Sequence, residues 1–172
     1  EGGSTNDHAR IDLEHVMHEA LAEFAALMDS RQIPLDFSRD GSPEAWGNAT
    51  LMGHVIRNLL SNAIKFSPSG ACLKVRMQPS MMHCTAKGLC IPTLEIRIID
   101  QGFGIPEAEL ETIFDKFVQS SKTHSGAGGT GLGLAICREI INLHHGEIFA
   151  LNGPEGGAEF VVRIPVEDER QI

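Results

Sequence analysis

Three stretches of this chain combine residue types at spacings that can hold a charged ligand. Asn58, Ser61, Asn62 and Lys65 recur at intervals of three and four, so in a helix they share a sector away from the centre of its apolar stripe. Two amide oxygens one turn apart can help bind a hard cation, and Lys65 can reach a phosphate oxygen. Asp100 ends an apolar run and is followed by Gln101-Gly102-Phe103-Gly104. A partly buried carboxylate there needs a donor, which an exocyclic amine such as that of adenine supplies, and the two glycines let backbone approach a ligand closely. Gly129-Thr130-Gly131-Leu132-Gly133 opens a helix, where unpaired amide N–H groups and the helix dipole can cradle phosphate. Each stretch has a plain alternative when taken alone: a solvated polar face, a turn aspartate capping its own loop, a glycine hinge.

Several other chemistries are excluded. Gly126, Gly128 and Gly131 satisfy GxGxxG, but Gln119 to Ser125 is polar where a dinucleotide fold needs a strand. A GxxxxGK[ST] phosphate loop is absent, since leucine follows both Gly131 and Gly133. Fourteen Lys and Arg against 23 Asp and Glu leave a formal charge of -9, the wrong sign for tracking a phosphate backbone, so no nucleic-acid partner is expected. A bound polyphosphate would have to be held by oriented amides and a metal. Cys72, Cys84, Cys90 and Cys137 have no CxxC spacing and form no disulfide framework; zinc at His83, Cys84 and Cys90 lacks a paired ligand motif.

The elements that must position these residues follow from periodicity. At 172 residues with 42% hydrophobic and 22% charged, the chain suits one globular domain. No apolar stretch approaches the ~20 residues of a spanning helix, so the chain itself is not expected to insert into a membrane. It begins at Glu1 without Met and is expected to be a piece of a longer protein. Residues 1–10 read as a linker, 11–166 as the domain and 167–172 as a polar tail. Val16, Ala20, Phe24 and Leu27 predict a helix from Asp12 to about Ser30, with that face inward. Ile33, Leu35 and Phe37 alternate around Pro34, predicting a short edge strand, with another at Ala45 and Trp46.

Leu51, Met52, Val55, Ile56, Leu59, Leu60, Ala63 and Ile64 give the clearest helix, over 51–66, stopped by Pro68 and Gly70. Cys72 to Met77 and Leu94 to Ile99 read as strands joined by a long connection, Gln78 to Pro92, taken as loop. Seven of the 18 glycines lie between Gly102 and Gly133, marking the flexible part. A helix from Leu132 to His145, with Ile136, Ile140 and Leu143 on one face, precedes a hairpin of Glu147 to Leu151 and Glu159 to Ile164 around Gly156-Gly157. The pattern predicts α+β, or mixed α/β: helices against one mostly antiparallel sheet.

In order, Asn58-Leu-Leu-Ser-Asn62-Ala-Ile-Lys65-Phe66, Asp100-Gln-Gly102-Phe-Gly104-Ile105-Pro, Ile113-Phe114-Asp-Lys-Phe117 and Gly129-Thr130-Gly131-Leu132-Gly133 resemble the N box, first glycine box, F box and second glycine box of sensor histidine kinases. The resemblance covers about residues 11–165. It implies the Bergerat fold, an α/β sandwich of a mixed, mostly antiparallel sheet and about three helices with a mobile ATP lid from Glu107 to Gly128, and it implies ATP and Mg2+ as cofactors. Carried over, Asn62 ligates the metal, while Asn58 and Lys65 act at the phosphates and are the catalytic pair. Phe66, Asp100, Gly102, Gly104 and Ile105 form the adenine pocket, with Asp100 accepting from the amine. Phe114 and Phe117 anchor the lid; on spacing alone, at least one of them belongs to the core. Gly129, Thr130, Gly131, Leu132 and Gly133 hold the triphosphate. Asn58 stands where hydrolytic relatives carry a water-activating Glu, which favours transfer to a separate acceptor.

None of the eight histidines has the family's phosphoacceptor setting, so the partners implied are a dimerisation domain carrying that histidine and a response regulator or receiver domain. The alternative is a nucleotide-binding pseudokinase or regulatory module. A cytoplasmic domain is implied, with an inner-membrane parent left open. Gln101 departs from the usual Asn and is expected to change a water contact.

Overall fold

A computed structural model of the protein describes residues 7–115, 133–154, 156–168 and 170. Strand β1 (Ala9–Asp12) enters helix α1 (Leu13–Ser30), followed by β2 (Leu35–Arg39), β3 (Glu44–Gly47) and helix α2 (Ala49–Phe66). A long hairpin, β4 (Leu73–Cys84) and β5 (Leu89–Ile99), leads to two short 3-10 turns at Glu107–Glu109 and Thr112–Phe114. Helix α3 (Gly133–Leu143) then precedes the closing hairpin β6 (Glu147–Asn152) and β7 (Ala158–Pro165).

Five strands form one sheet in the order β2-β4-β5-β7-β6, in which only β2 and β4 run parallel. β1 and β3 make a separate antiparallel pair. The expected layer arrangement is therefore present. Leu73, Val75, Met77, Leu94, Ile96, Ile98, Phe160 and Val162 alternate onto one face of the sheet and are buried with the apolar stripes of the helices. Side-chain caps start two helices: Asp12 accepts from the His15 N–H at 3.1 Å, and Asn48 from the Leu51 N–H at 3.0 Å.

The other sheet face carries a charged network instead of a second layer. Glu95 is 1% exposed and accepts from Gln78 at 2.6 Å, Arg97 at 2.8 Å and Arg163 at 2.9 Å. Glu159 holds Arg97 and Glu147 holds Arg163 from the neighbouring strands. Burial would raise the Glu95 pKa, but these donors outweigh it and hold the carboxyl below its usual range.

Four expectations need correcting. Ala9 and Arg10, read as linker, pair with Gly47 and Trp46 in β1. The supposed loop Gln78–Pro92 is mostly ladder, paired from Gln78↔Glu95 to Cys84↔Leu89. It carries two prolines, but β2 ends opposite Met77 before reaching Pro79, and β7 ends opposite Thr93 before reaching Pro92. Each missing N–H therefore falls where a neighbouring strand has already stopped. That register also sets His83 beside Cys90 on one face and Cys84 beside Leu89 on the other, so those three side chains do not converge on a metal.

The inward faces of two helices are rotated from the expected ones. α1 buries Leu13, Met17, Ala20, Leu21 and Met28 while Leu27 is 46% exposed. α3 buries Ala135, Cys137, Ile140 and Ile141, leaving Ile136 and Leu143 outside. Small Ala135 and Cys137 let α3 close on α2, with Cys137 Sγ 3.9 Å from the Val55 carbonyl, and that close approach decides the face.

Candidate functional site

Asp100 sits immediately after β5 and is 5% exposed. Its Oδ1 accepts from the Gly102 N–H at 2.8 Å and the Ala158 N–H at 3.1 Å, and its own N–H donates to the Ala158 carbonyl at 2.9 Å. Among the described residues both side-chain bonds fall on Oδ1, which leaves Oδ2 with its capacity to accept. Burial pushes the Asp100 pKa up, against the pull of the Ala158 and Gly102 amides. The backbone here is crowded: a Cβ at Gly102 would lie 2.5 Å from the Phe66 carbonyl oxygen, and one at Gly157 would lie 2.1 Å from the Asp100 oxygen. The first contact joins the end of α2 to the Asp100 loop and brings Phe66 and Phe103 to 6.5 Å between ring centroids.

Helix α2 presents Asn58, Asn62 and Lys65 outside its buried stripe. Asn58 also faces α3, the helix that carries the Cys137 thiol: its Oδ1 lies 3.6 Å from where a Cβ on Gly133 would be. Burial first of all pushes that thiol up to about 12, so Cys137 is an inert packing group. Lys65, exposed in the last turn, places Nζ 5.9 Å from the Phe66 ring centroid. The end of α2 is fixed by Arg31, whose guanidinium donates to the carbonyls of Ile64 and Ser67 and so satisfies acceptors the helix leaves unpaired.

Gly104 has a φ of +77°, a conformation that favours glycine. Ile105 follows, 8% exposed, and both its backbone groups bond to Asn152: the N–H donates to Oδ1 at 2.7 Å and the carbonyl accepts from Nδ2 at 2.6 Å. Phe114 is a core residue, 2% exposed, edge-on to Phe160 at 6.2 Å with the Arg138 guanidinium 4.8 Å from its ring centroid. Phe117, Gly129, Thr130, Gly131 and Leu132, and the proposed lid beyond Asp115, lie outside the described residues.

The structure thus gathers Asn58, Asn62, Lys65, Phe66, Asp100, Gly102 and Gly133 around the exposed side of α2. Asn152, Arg31 and Gly157 were missed from sequence. The sequence reading assigned no role to Asn152 or Arg31 and placed Gly157 only in the turn of the closing hairpin. The side-chain oxygen of Gln101 accepts from the Cys72 N–H at 2.9 Å and ties the loop to the start of β4.

These residues fit an adenine nucleotide with a hard metal ion. Oδ2 of Asp100 suits an amine donor, the Phe66 and Phe103 rings stand 6.5 Å apart beside the Asp100 loop, and amide oxygens with a lysine suit a metal–polyphosphate.

The family described as histidine kinase-, DNA gyrase B-, and HSP90-like ATPase matches residues 47–168. The adaptive-response sensory kinase SasA of Synechococcus sp. (strain CC9311) is 35% identical over 159 residues, covering 91% of this chain and 39% of SasA. The catalytic domain of histidine kinase ThkA superposes with a TM-score of 0.76 at 25% identity, covering 92% of this chain and 97% of that one. ThkA in complex with the response regulator protein TrrA gives 0.75 at 25% identity, covering 93% of this chain and 42% of that one. This chain spans about two fifths of the length of the SasA relatives it matches. Among the described residues, no helix is long and apolar enough to cross a membrane.

Proposed function

Because the chain belongs to the histidine kinase-, DNA gyrase B-, and HSP90-like ATPases, on their sensor-kinase branch, we propose that it binds Mg-ATP and presents the γ-phosphoryl group to a histidine on a separate dimerisation domain of the same sensor kinase. Relay to a response regulator or receiver domain would follow. The observation that carries this reading is the convergence of the Asp100–Gly102–Phe66 contact with the Asn58–Gly133 approach, which sets a base-recognising end and a phosphate-holding end on one helix.

Bound Mg-ATP supplies the activated phosphoanhydride and the metal's counter-charge. The Gly102 and Ala158 amides fix the Asp100 carboxylate plane, so Oδ2 accepts from the adenine amine without reorganising. Guanine would set a carbonyl against that oxygen, so ATP is preferred over GTP. Phe66 lies beside the base, and Gly104 and Ile105 shape the same pocket. Asn62 holds the metal, Asn58 assists at the phosphates, and Lys65 pairs with phosphate oxygens. The amides of Gly129, Thr130, Gly131, Leu132 and Gly133 hold the triphosphate. Phosphoryl transfer needs mainly this positioning and charge stabilisation. An amide at Asn58 cannot take a proton from water as a carboxylate can, so hydrolysis is slow and the phosphoryl group waits for the acceptor.

Titration calorimetry with Mg-ATP and Mg-GTP tests recognition, and mixing the chain with the parent's dimerisation domain and labelled ATP tests transfer. Heat with ATP alone and acid-labile label on the partner are expected. No heat with either nucleotide sinks the reading.

A further inference from the structure

His144 directly follows α3 and is 3% exposed. Its Nδ1 lies 2.8 Å from the Ile140 carbonyl, which can only accept, so Nδ1 carries the proton. Nε2 is then an acceptor, and it takes the Asn48 backbone N–H at 3.0 Å. One neutral tautomer satisfies both bonds, and no other protonation state does.

The two partners belong to different helices. Ile140 lies in α3, and Asn48 is the N-cap of α2, its side chain holding the Leu51 N–H. The far end of α3 meets α2 again, where Gly133 approaches Asn58. The two helices that carry the phosphate-holding groups are thus joined near Asn58 and pinned at His144. No slack surrounds the ring: a Cβ on Gly47 would lie 2.6 Å from Cδ2 and 2.9 Å from Nε2. The His8 ring packs on it at 4.6 Å between centroids, and both His8 nitrogens are buried without a hydrogen-bond partner among the described residues.

We infer that His144 is a positioning residue for the nucleotide site, its neutral imidazole holding α3 against α2 and its protonation releasing the two helices. A proton on Nε2 would face the Asn48 N–H donor to donor, and the pin becomes repulsive. The titratable groups facing His144 are His8, ring to ring, and His145, next in the chain. Asp168, paired with Arg170 in the segment after β7, has His8 as the last of the groups that lower its pKa. Burial first, and then His8 and His145, favour the neutral form of His144 against the Ile140 carbonyl.

This inference rests on the nucleotide reading above, and the test separates the two. Mg-ATP affinity is measured by calorimetry on the unmodified chain, His144→Gln and His144→Phe, with melting curves alongside. Gln can place an amide oxygen where Nε2 sits and does not titrate; Phe fills the space with no acceptor. At neutral pH, Phe is expected to weaken binding about tenfold, roughly one lost hydrogen bond, while Gln stays within about threefold. As pH falls from neutral to below the ordinary imidazole value of about 6.5, the unmodified chain should lose more affinity than His144→Gln, which keeps only the titrations common to both, the nucleotide's and that of Asp100 among them. Equal acid loss in both, or tight binding by His144→Phe, overturns the inference and leaves the nucleotide reading intact. If Phe fails to fold, the pH comparison with Gln decides alone. No binding by the unmodified chain at any pH overturns the nucleotide reading and this inference together.

Discussion

Asn152 closes a ring of two hydrogen bonds around Ile105, accepting from its N–H at 2.7 Å and donating to its carbonyl at 2.6 Å. A side chain at the end of β6 thereby supplies the strand-like partner that the loop after Gly104 lacks. Asn152→Ala should cost about 1–3 kcal/mol, the usual loss for abandoned backbone partners, and weaken Mg-ATP binding. Asn152→Asp should keep one bond and fall between. Urea denaturation and calorimetry on the same samples check both; unchanged affinity in the Ala variant would show the clamp irrelevant to binding.

Asp100→Asn should separate binding from folding. The Gly102 and Ala158 donors still find an oxygen at Oδ1, while the amide nitrogen at the Oδ2 position would meet the adenine amine donor to donor. Affinity is expected to drop at least ~100-fold. Because burial raises the folded-state pKa of Asp100, the native form holds its proton more tightly than the unfolded chain. Its stabilising share is complete below the unfolded value of about 3.9 and is lost as pH rises through the folded value. The variant should therefore gain stability relative to the unmodified chain as pH climbs through that window, read from urea midpoints.

Gly102→Ala tests the close approach to Phe66. The added methyl would sit 2.5 Å from a backbone oxygen, which cannot rotate away. A cost of about 1–3 kcal/mol is expected from overpacking, together with weaker nucleotide binding as the end of α2 is pushed outward. A melting temperature equal to that of the unmodified chain would contradict the packing described.

Glu95 governs acid stability on the open sheet face. Its folded-state pKa is lowered, since the bonds from Arg97, Arg163 and Gln78 overcome the opposing effect of burial. The stabilisation is full above the unfolded value of about 4.3 and disappears as pH falls through the lower folded value. Glu95→Gln should destabilise by about 1–3 kcal/mol at neutral pH, because its charge-assisted bonds to two arginines are lost while Glu159 and Glu147 still hold those arginines. The gap should shrink in acid, as differential unfolding across pH would register.

Much of the site was legible because its members are local in the chain. Asn58, Asn62 and Lys65 share one helix face by spacing alone, and Asp100 follows an apolar run before two glycines. What escaped depends on partners far away in sequence. Asn152 meets Ile105 across 47 positions, Arg31 reaches the end of α2 across 33, and His144 reaches Asn48 across 96. The Gln78–Pro92 ladder escaped for the same reason: whether a proline breaks a sheet depends on where the neighbouring strands end.

By itself the sequence determined the helices, most of the strands and which side chains could meet a nucleotide, because periodicity and motif spacing act over a few residues. Only the tertiary structure decided which faces of α1 and α3 turn inward, which carbonyls need a glycine opposite them, and which distant side chains hold the loop and helix ends. Those outcomes depend on distances between separate elements, and such distances exist only once the elements have packed.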